Sequence, residues 1–195
     1  VWDAATGTEV RILSGHQDGV TSAAFSPDGQ WIVTSSADNT TRVWDAETGE
    51  EVRTLSGHSD IVTNAVFSPD GRWIATSSVD QTARTWDAFT GEIVRTLQGH
   101  NSEVIGIAYS PDGDWIVTAG GDNTARVWDA ATGEEVRVLL SNSKISGLRA
   151  VEYSPDGRLI VTASLDRTAR VWDAATGEEL RALSGHTSDV SSVAY

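Results

Sequence analysis

The chain has 195 residues with 28 acidic and 14 basic side chains, which gives a formal charge of −14 at neutral pH. This charge argues against nucleic acids and anionic membranes as partners, because both are bound mainly through clustered lysine and arginine. The absence of cysteine excludes disulfides and thiolate metal sites.

One sequence unit recurs along the whole chain. Its Trp-Asp pair is repeated at spacings of 42, 42, 42 and 44 residues, at Trp2, Trp44, Trp86, Trp128 and Trp172. Ser-Pro-Asp-Gly begins at Ser26, Ser68, Ser110 and Ser154, and Gly-His ends at His16, His58, His100 and His186. A period of this length indicates one supersecondary unit written several times. Residues that recur in every unit are therefore expected to be scaffold, and residues that differ are better candidates for function.

In chain order, residues 1–14 are predicted to hold the end of a third strand and a fourth strand. The first complete unit follows, and its Pro27 and Gly29 predict a tight hairpin turn after a strand of small, β-branched and aromatic residues. The last strand of the unit alternates polar and apolar residues, which is typical of a half-exposed strand. The strands predicted in this unit are 20–25, 31–35, 40–45 and 51–55.

The same four strands are predicted in every complete unit, and these units are 15–56, 57–98, 99–140 and 141–184. Residues 185–195 are predicted to be a lone first strand. The sequence contains no methionine, and it opens and stops inside a repeat. We therefore expect residues 1–195 to be one segment of a longer polypeptide, or a shortened form of one.

With Gly-His near the start and Trp-Asp near the end of each unit, the sequence resembles the WD40 repeat over essentially all of its residues. The resemblance implies an all-β fold, the β-propeller, with four complete four-stranded antiparallel blades and a partial blade at each end. Propellers of this family most often have seven blades, which at this period need about 290 to 300 residues. We therefore expect an incomplete ring or open arc, whose exposed blade faces are covered by missing blades or by self-association.

Each unit also offers a His, a hydroxyl, an Asp and a Trp, a combination that suggests a nucleophilic triad. Equivalent sets in several units are more typical of structure than of catalysis. The resemblance implies hydrogen-bonded networks that tie the outer loop to the second turn and the third strand. Their Asp residues should then have low pKa values. The predicted members are His16, Thr34, Asp38, Trp44, His58, Thr76, Asp80, Trp86, His100, Thr118, Asp122, Trp128, Asn142, Thr162, Asp166, Trp172 and His186.

The fourth unit departs from this pattern. Its His position is taken by Asn142, and the loop at 141–147 is two residues longer than its counterparts and contains the sole lysine, Lys144. One interpretation is that the network tolerates the loss of a His in one unit. The other is that the longer loop is a specificity loop that contacts a partner, because inserted residues in repeat proteins often lie on the binding face.

Two further patterns in the sequence bear on ligand binding. An aromatic row at Trp31, Trp73 and Trp115 could bind a ligand, but the fourth unit has Leu159 at this position, which favours packing between blades. Carboxylates near the turns could collect calcium, but no local calcium-loop pattern is present. The sequence therefore predicts neither a metal nor a cofactor.

The function predicted from these observations is a non-catalytic scaffold that binds a protein or peptide of unknown identity. The resemblance implies binding over the rim formed by the loops after Gly-His and the turns around the network Asp. The apolar Ile61, Val79 and Leu165 are expected to be exposed there. The candidate partner-binding residues are Asp18, Gly19, Asp60, Ile61, Val79, Ser102, Glu103, Lys144, Leu165 and Arg167.

Two other functions stay open. Repeats this similar to one another resemble the arrays attached to bacterial signalling proteins, so the chain could be a sensor or regulatory arm of a larger multidomain NTPase or kinase. A propeller enzyme would need a titratable residue of one blade at the channel mouth, and Glu152, with Arg149 close by, is the candidate. Nothing in the sequence resembles a signal peptide, and a cytoplasmic location is expected.

Overall fold

The computed structural model describes residues 1–140 and 147–195. Within these residues all regular structure is β, and the strands form four antiparallel four-stranded sheets that do not close into a ring. The predicted all-β fold with four complete blades is confirmed. No helix in the described part of the chain has the length and apolarity needed to cross a membrane.

Each sheet uses four consecutive strands in chain order. Blade 1 contains β1 (Val20–Phe25), β2 (Trp31–Ser36), β3 (Thr40–Asp45) and β4 (Glu51–Ser56). Blade 2 contains β5 (Val62–Phe67), β6 (Trp73–Ser78), β7 (Thr82–Asp87) and β8 (Ile93–Gln98). Blade 3 contains β9 (Val104–Tyr109), β10 (Trp115–Gly120), β11 (Thr124–Asp129) and β12 (Glu135–Leu140). Blade 4 contains β13 (Leu148–Tyr153), β14 (Leu159–Ser164), β15 (Ala169–Asp173) and β16 (Glu179–Leu183).

The recurring Ser-Pro-Asp-Gly motif closes the first hairpin of every blade through its own side chains. In blade 1 the Ser26 hydroxyl donates to Asp28 at 2.6 Å and accepts the Trp31 N–H at 2.9 Å. Gly29 has a φ of 71°, a left-handed conformation that other residues adopt at a cost. The motif therefore sets the register with which the first two strands pair.

The Asp of each Trp-Asp pair closes the hairpin between the third and fourth strands. The carboxylate of Asp45 accepts the N–H groups of Glu47 and Thr48 at 2.9 and 2.7 Å. The neighbouring Trp44 points into the protein and is only 1% exposed. The two residues of the signature thus have separate tasks, since one ends the strand and the other fills the core.

The hydrophobic core consists of layers between successive blades. Between blades 1 and 2, Val33, Val43 and Leu55 pack against Ala65, Ile74 and Trp86. Equivalent layers join blades 2 and 3 and blades 3 and 4. The half-buried Trp31 and Trp115 pack against two of these layers. Packing between blades is the role predicted for them, because the fourth unit has Leu159 at the same position. Each blade is therefore sheltered by its neighbours, as in other repeat proteins.

The two ends of the chain form less structure than the sequence predicted. Residues 1–14 contain a single bridge between Trp2 and Glu9, and residues 185–195 form no strand. Val190 is nevertheless buried, with 8% exposure, and its N–H donates to Ser164 O of blade 4 at 3.1 Å. A strand needs a hydrogen-bonded neighbour, and the described residues provide no second strand at this place.

The backbones of blades 3 and 4 approach each other closely at Gly106, and this contact yields a prediction. A Cβ added there would lie 3.2 Å from both Ala150 Cα and Val151 N, which are backbone atoms that cannot rotate away. We expect Gly106→Ala to lower the free energy of unfolding by about 1–3 kcal/mol through overpacking, as measured by urea denaturation. The control is Gly19→Ala, because a Cβ at Gly19 meets no atom within 4 Å. Equal midpoints for Gly106→Ala and the wild type would contradict the prediction.

Candidate functional site

The network of blade 2 is a continuous chain of side-chain hydrogen bonds. Trp86 Nε1 lies 2.9 Å from Thr76 Oγ1, and Thr76 Oγ1 lies 2.8 Å from His58 Nε2. The other ring nitrogen, His58 Nδ1, lies 2.8 Å from Asp80 Oδ2. This chain crosses the blade from the third strand to the loop that follows Gly-His.

A neutral His58 satisfies every member of this network. The indole N–H can only donate and an ionised carboxylate can only accept. His58 therefore donates from Nδ1 to Asp80, and its Nε2 accepts the hydroxyl proton of Thr76, whose oxygen accepts from Trp86. Burial lowers the pKa of His58 and outweighs the opposite effect of Asp80, which agrees with a neutral ring.

Blades 1 and 3 repeat this arrangement. The three links of each network span 2.7 to 3.0 Å. The residues brought together are His16, Thr34, Asp38 and Trp44 in blade 1, and His100, Thr118, Asp122 and Trp128 in blade 3.

The network aspartates stay ionised because several donors converge on each of them. Burial raises the pKa of Asp80, but the hydrogen bonds from Thr82, His58 and the Ser59 N–H outweigh it and lower the pKa to about 2. The pKa values of Asp38 and Asp122 are lowered by the same set of donors against the same effect of burial. The prediction of low pKa values for these three residues is confirmed.

The hydroxyl–His–Asp order of these networks matches that of a catalytic triad, but the hydroxyl is inaccessible. Thr76 and Thr118 are 0% exposed and Thr34 is 5% exposed. Each hydroxyl oxygen is also occupied by an indole N–H. The networks are thus arranged to hold loops in place and cannot present a nucleophile to a substrate.

Blade 4 uses an arginine at the carboxylate of its network. Trp172 Nε1 donates to Thr162 Oγ1 at 3.0 Å, as in the other blades. Asp166 Oδ2 accepts from Arg170 at 2.7 Å, and Asp166 Oδ1 accepts from the Thr168 hydroxyl. Asn142, the predicted network member, and Lys144, a candidate partner-binding residue, lie outside the described residues, so both assignments stay predictions.

His186 is not brought into a network, contrary to the prediction. It is exposed and lacks, among the described residues, the bonds that the other three histidines make. Those histidines bond to a Thr 18 residues later and to an Asp 22 residues later. The equivalent positions after His186 fall beyond residue 195.

The loops after Gly-His and the Asp turns meet on one edge of every blade, and we call this edge the rim. A backbone hydrogen bond of 2.8 to 3.1 Å joins loop and turn within each blade. The pairs, donor first, are Ala37 with Gly19, Val79 with Ile61, Gly121 with Glu103, and Leu165 with Gly147. Between the third and fourth strands of each blade lies a Thr-Gly turn, such as Thr48-Gly49 in blade 1. These turns and the Ser-Pro-Asp-Gly hairpins lie on the opposite edge, because successive strands are antiparallel.

The candidate partner-binding residues of the rim differ in exposure. Those that are exposed are Asp18, Gly19, Asp60 and Arg167, and those that are half-buried are Ile61, Val79, Ser102, Glu103 and Leu165. The expectation that the three apolar residues are exposed is therefore not met. Their side chains lie where the loop and the turn are bonded together, and part of each is covered there.

Glu103 takes a place that a turn side chain occupies in the other blades. A Cβ added at Gly121 would lie 2.6 Å from Glu103 Cδ, whereas the other turns carry Ala37, Val79 and Leu165. The Ser102 hydroxyl donates a short hydrogen bond to Glu103, and this bond is the main reason that the pKa of Glu103 is lowered. The rim of blade 3 thus carries a fixed negative charge that the other described rims lack at this position.

Four rim residues adopt a left-handed backbone conformation although they are not glycine. Their φ values lie between 67° and 70°, at Asn39, Gln81, Asn123 and Arg167. Asn adopts this conformation at little cost, whereas Gln and Arg do so less readily. Blades 2 and 4 therefore keep locally unfavourable residues on the rim.

The two enzyme candidates lie in different places, since Arg149 is near the rim residue Glu103, whose pKa it helps to lower, and Glu152 is on the opposite edge. Glu152 is half-buried and lines a cavity of about 380 Å³ on the opposite edge. Most of that lining is proline and the aromatic rings that end the first strands, and Arg149 is exposed. Within residues 1–140 and 147–195, no three His, Asp or Glu side chains are grouped so that they could hold a metal ion.

Comparison with known proteins identifies the repeats. The family model described as "WD domain, G-beta repeat" matches residues 7–45, 49–87, 91–129 and 133–173.

Three curated proteins are similar over about one repeat each. Guanine nucleotide-binding protein subunit beta-5b of Danio rerio is 46% identical over 43 residues, which are 22% of this chain and 11% of that protein. Coronin-7 of Rattus norvegicus is 46% identical over 43 residues, 22% of this chain and 5% of that protein. U3 small nucleolar RNA-associated protein 21 of Saccharomyces cerevisiae is 50% identical over 42 residues, 22% of this chain and 4% of that protein. The chain matches only a small part of the length of these relatives.

The lowered pKa values predict that the protein becomes less stable as the pH is lowered. Unfolded His58 takes up a proton below its ordinary pKa of about 6.5, whereas the folded state resists protonation because the pKa is lowered there. Stability from His58 is thus lost as the pH falls below 6.5. For Asp80, with a folded pKa of about 2, stability present above its ordinary pKa is lost as the pH falls from about 4 to 2.

The measurement is the free energy of unfolding in urea between pH 7.5 and pH 5, for the wild type and for His58→Asn. We expect the wild type to lose more stability over this range than the variant, because the variant lacks the titrating ring. Parallel pH profiles would show that His58 does not contribute.

The left-handed residues predict a stabilising substitution. Arg167→Asn places on the rim of blade 4 the residue found in blades 1 and 3, and we expect a gain of about 1 kcal/mol or less in the free energy of unfolding. The control is Arg158→Asn, an exposed arginine without a positive φ, which should not change stability. Thermal unfolding of both variants checks this, and a gain in both or in neither would count against the conformational explanation.

Proposed function

Because the chain belongs to the WD40-repeat family, we propose that it is a non-catalytic scaffold whose rim binds a protein or peptide. The observation that carries the proposal is that each network of blades 1 to 3 uses up the His, hydroxyl and Asp of its repeat internally. The same bonds fix the loop and the turn that form the rim. The networks therefore hold the rim in a fixed conformation, which supports its proposed role as a binding surface.

The differences between blades are concentrated where binding is proposed. The loops after Gly-His read Gln17-Asp-Gly19, Ser59-Asp-Ile61 and Asn101-Ser-Glu103, while the networks below them keep the same residue types. A repeated scaffold with varied loop residues is the arrangement by which repeat proteins build a specific surface.

Backbone conformation gives a second support. Arg167 retains a left-handed φ of 69° at a position where Asn would fit better. Strain of this kind persists at places where function requires the side chain. A contact between Arg167 and the partner accounts for the retention of arginine.

Charge indicates the chemistry of the partner. Asp18, Asp60 and Glu103 bring carboxylates to the rim of three successive blades, and the chain as a whole carries a charge of −14. We therefore propose that the rim binds a segment that contains lysine or arginine, since complementary charge speeds association and selects against wrong partners.

The test uses a displayed library of random dodecapeptides, selected on the 195-residue chain. We expect selected peptides to be rich in Lys and Arg and to bind about tenfold more weakly to a double variant with Asp18→Asn and Asp60→Asn. These substitutions remove charge but keep a side-chain oxygen that can accept the bond from the following N–H.

The matched control removes two charges from the opposite edge, with Glu47→Gln and Glu134→Gln, which are both exposed. Affinity measured by fluorescence anisotropy should be unchanged in this control. If both double variants lose affinity equally, the effect is one of net charge and the proposed rim site is wrong.

A further inference from the structure

The Thr-Gly turn of blade 2 carries a residue that the repeat does not need. Phe89 is 85% exposed, whereas the equivalent positions in the other blades hold Glu47, Ala131 and Ala175. Since alanine completes the same turn in two blades, the ring of Phe89 has no structural role that the turn requires. A large exposed aromatic side chain of this kind marks a contact site when it lies beside other apolar surface.

Such a surface lies directly beside Phe89. A cleft of about 420 Å³ opens between blades 1 and 2 on the edge opposite the rim. Its apolar walls come from Trp31 and Val43 of blade 1 and from Phe67 and Ala88 of blade 2. This volume is within the range of about 300–1,000 Å³ that is usual for ligand pockets, and it accommodates one large apolar side chain.

The charged groups at the mouth of the cleft are unequally engaged. Asp70 accepts from the Ser68 hydroxyl and the Arg72 N–H, and Asp87 accepts from the Phe89 and Thr90 N–H groups. Both carboxylates are therefore committed to their own turns. Both carboxylates are ionised, since their pKa values are lowered, and their charge is balanced by the two arginines that line the same cleft.

Two arginines also line the cleft. Arg53 donates to Ala88 O at 2.9 Å. The guanidinium of Arg72 lies 5.5 Å from the centroid of the Trp73 ring, and its charge helps to lower the pKa values of Asp70 and Asp87. Within the described residues, no carboxylate lies within ion-pair distance of it, and its guanidinium forms no hydrogen bond. Arg72 thus offers a planar set of donors that matches a carboxylate.

The chain contains its own comparison sites. The junction of blades 2 and 3 has an equivalent cleft, but Asp114 and Ala131 stand where the first junction has Arg72 and Phe89. The junction of blades 3 and 4 has Arg158 and Ala175. Among the described junctions, exposed aromatic and arginine occur together only between blades 1 and 2.

We propose that this cleft binds a second peptide segment, in which an apolar side chain packs between Trp31 and Phe89 and a neighbouring carboxylate pairs with Arg72. The site is separate from the rim and selects an apolar, acidic segment, whereas the rim selects a basic one. Two segments of one partner, or two partners, can then be held on opposite edges of the blades.

The test selects a second pool of peptides from the random dodecapeptide library on the wild-type chain. An excess of the free Phe89→Ala/Arg72→Asp double variant is then added, and it removes the peptides that bind without the cleft. Both substitutions introduce the residues that blade 3 itself carries at these positions, so the fold is expected to be kept, and thermal unfolding checks this. Selected peptides should combine a Leu, Ile, Phe or Trp with an Asp or Glu. They should bind the double variant at least tenfold more weakly than the wild type, as is usual for an aromatic hot spot.

A gain-of-function variant completes the test. Adding Asp114→Arg and Ala131→Phe to the double variant moves both residues to the next junction, and binding should return to within a few-fold of the wild type. Peptides that bind the wild type and the double variant equally, or a library that yields no apolar, acidic peptide, would overturn the proposal.

The same peptides distinguish the two proposed sites. Cleft peptides should be unaffected by Asp18→Asn and Asp60→Asn, and rim peptides should be unaffected by Phe89→Ala and Arg72→Asp. Loss of all binding in the rim variant alone would support the rim and refute the cleft, and the reverse result would do the opposite.

Discussion

A buried indole N–H must donate a hydrogen bond, and the organisation of every blade follows from this requirement. The four core tryptophans are 1–2% exposed, and each donates to a threonine hydroxyl of the second strand. That hydroxyl in turn donates a hydrogen bond, which a histidine ring accepts in three blades. The other nitrogen of the ring donates to an aspartate. An unpaired buried donor costs about 1–3 kcal/mol, so the loop carrying the histidine and the turn carrying the aspartate are held to the core by the tryptophan.

This dependence links the packing between blades to the surface that the protein presents. The indole fills the layer between two blades, and its polar end begins the network that reaches the rim. Three hydrogen bonds therefore connect the indole in the core to the aspartate of the turn. In blade 4 Arg170 donates to the carboxylate of the network at 2.7 Å, and the equivalent pair in blade 3, Arg126 with Asp122, lies at 3.7 Å.

Much of this structure could be predicted from the sequence because motifs that recur at a fixed spacing mark where each repeat begins and ends. The spacing of Trp44, Trp86 and Trp128 fixes the unit, and turn residues such as Pro27 and Gly29 fix the hairpins inside it. The residues of three networks could be selected because they recur in register. The exposure of Ile61 and Val79 was predicted incorrectly, since it depends on a backbone bond between loop and turn that leaves no mark in a single sequence. The cleft beside Phe89 was missed for a related reason, because its walls come from two units, although the break in the repeat at Phe89 was a visible signal.

The close contact at Gly106 has a consequence for how such a chain can be rearranged. Repeats with nearly identical sequences could be exchanged, duplicated or deleted if every junction between blades were equivalent, and the junctions described here have similar hydrophobic layers. Blade 2 has Asn64 at the position of Gly106, and its side chain would meet the backbone of Ala150 if the first strand of blade 2 were moved into blade 3. Blades of similar sequence are thus not freely interchangeable at this seam, because the contact leaves little room for a side chain.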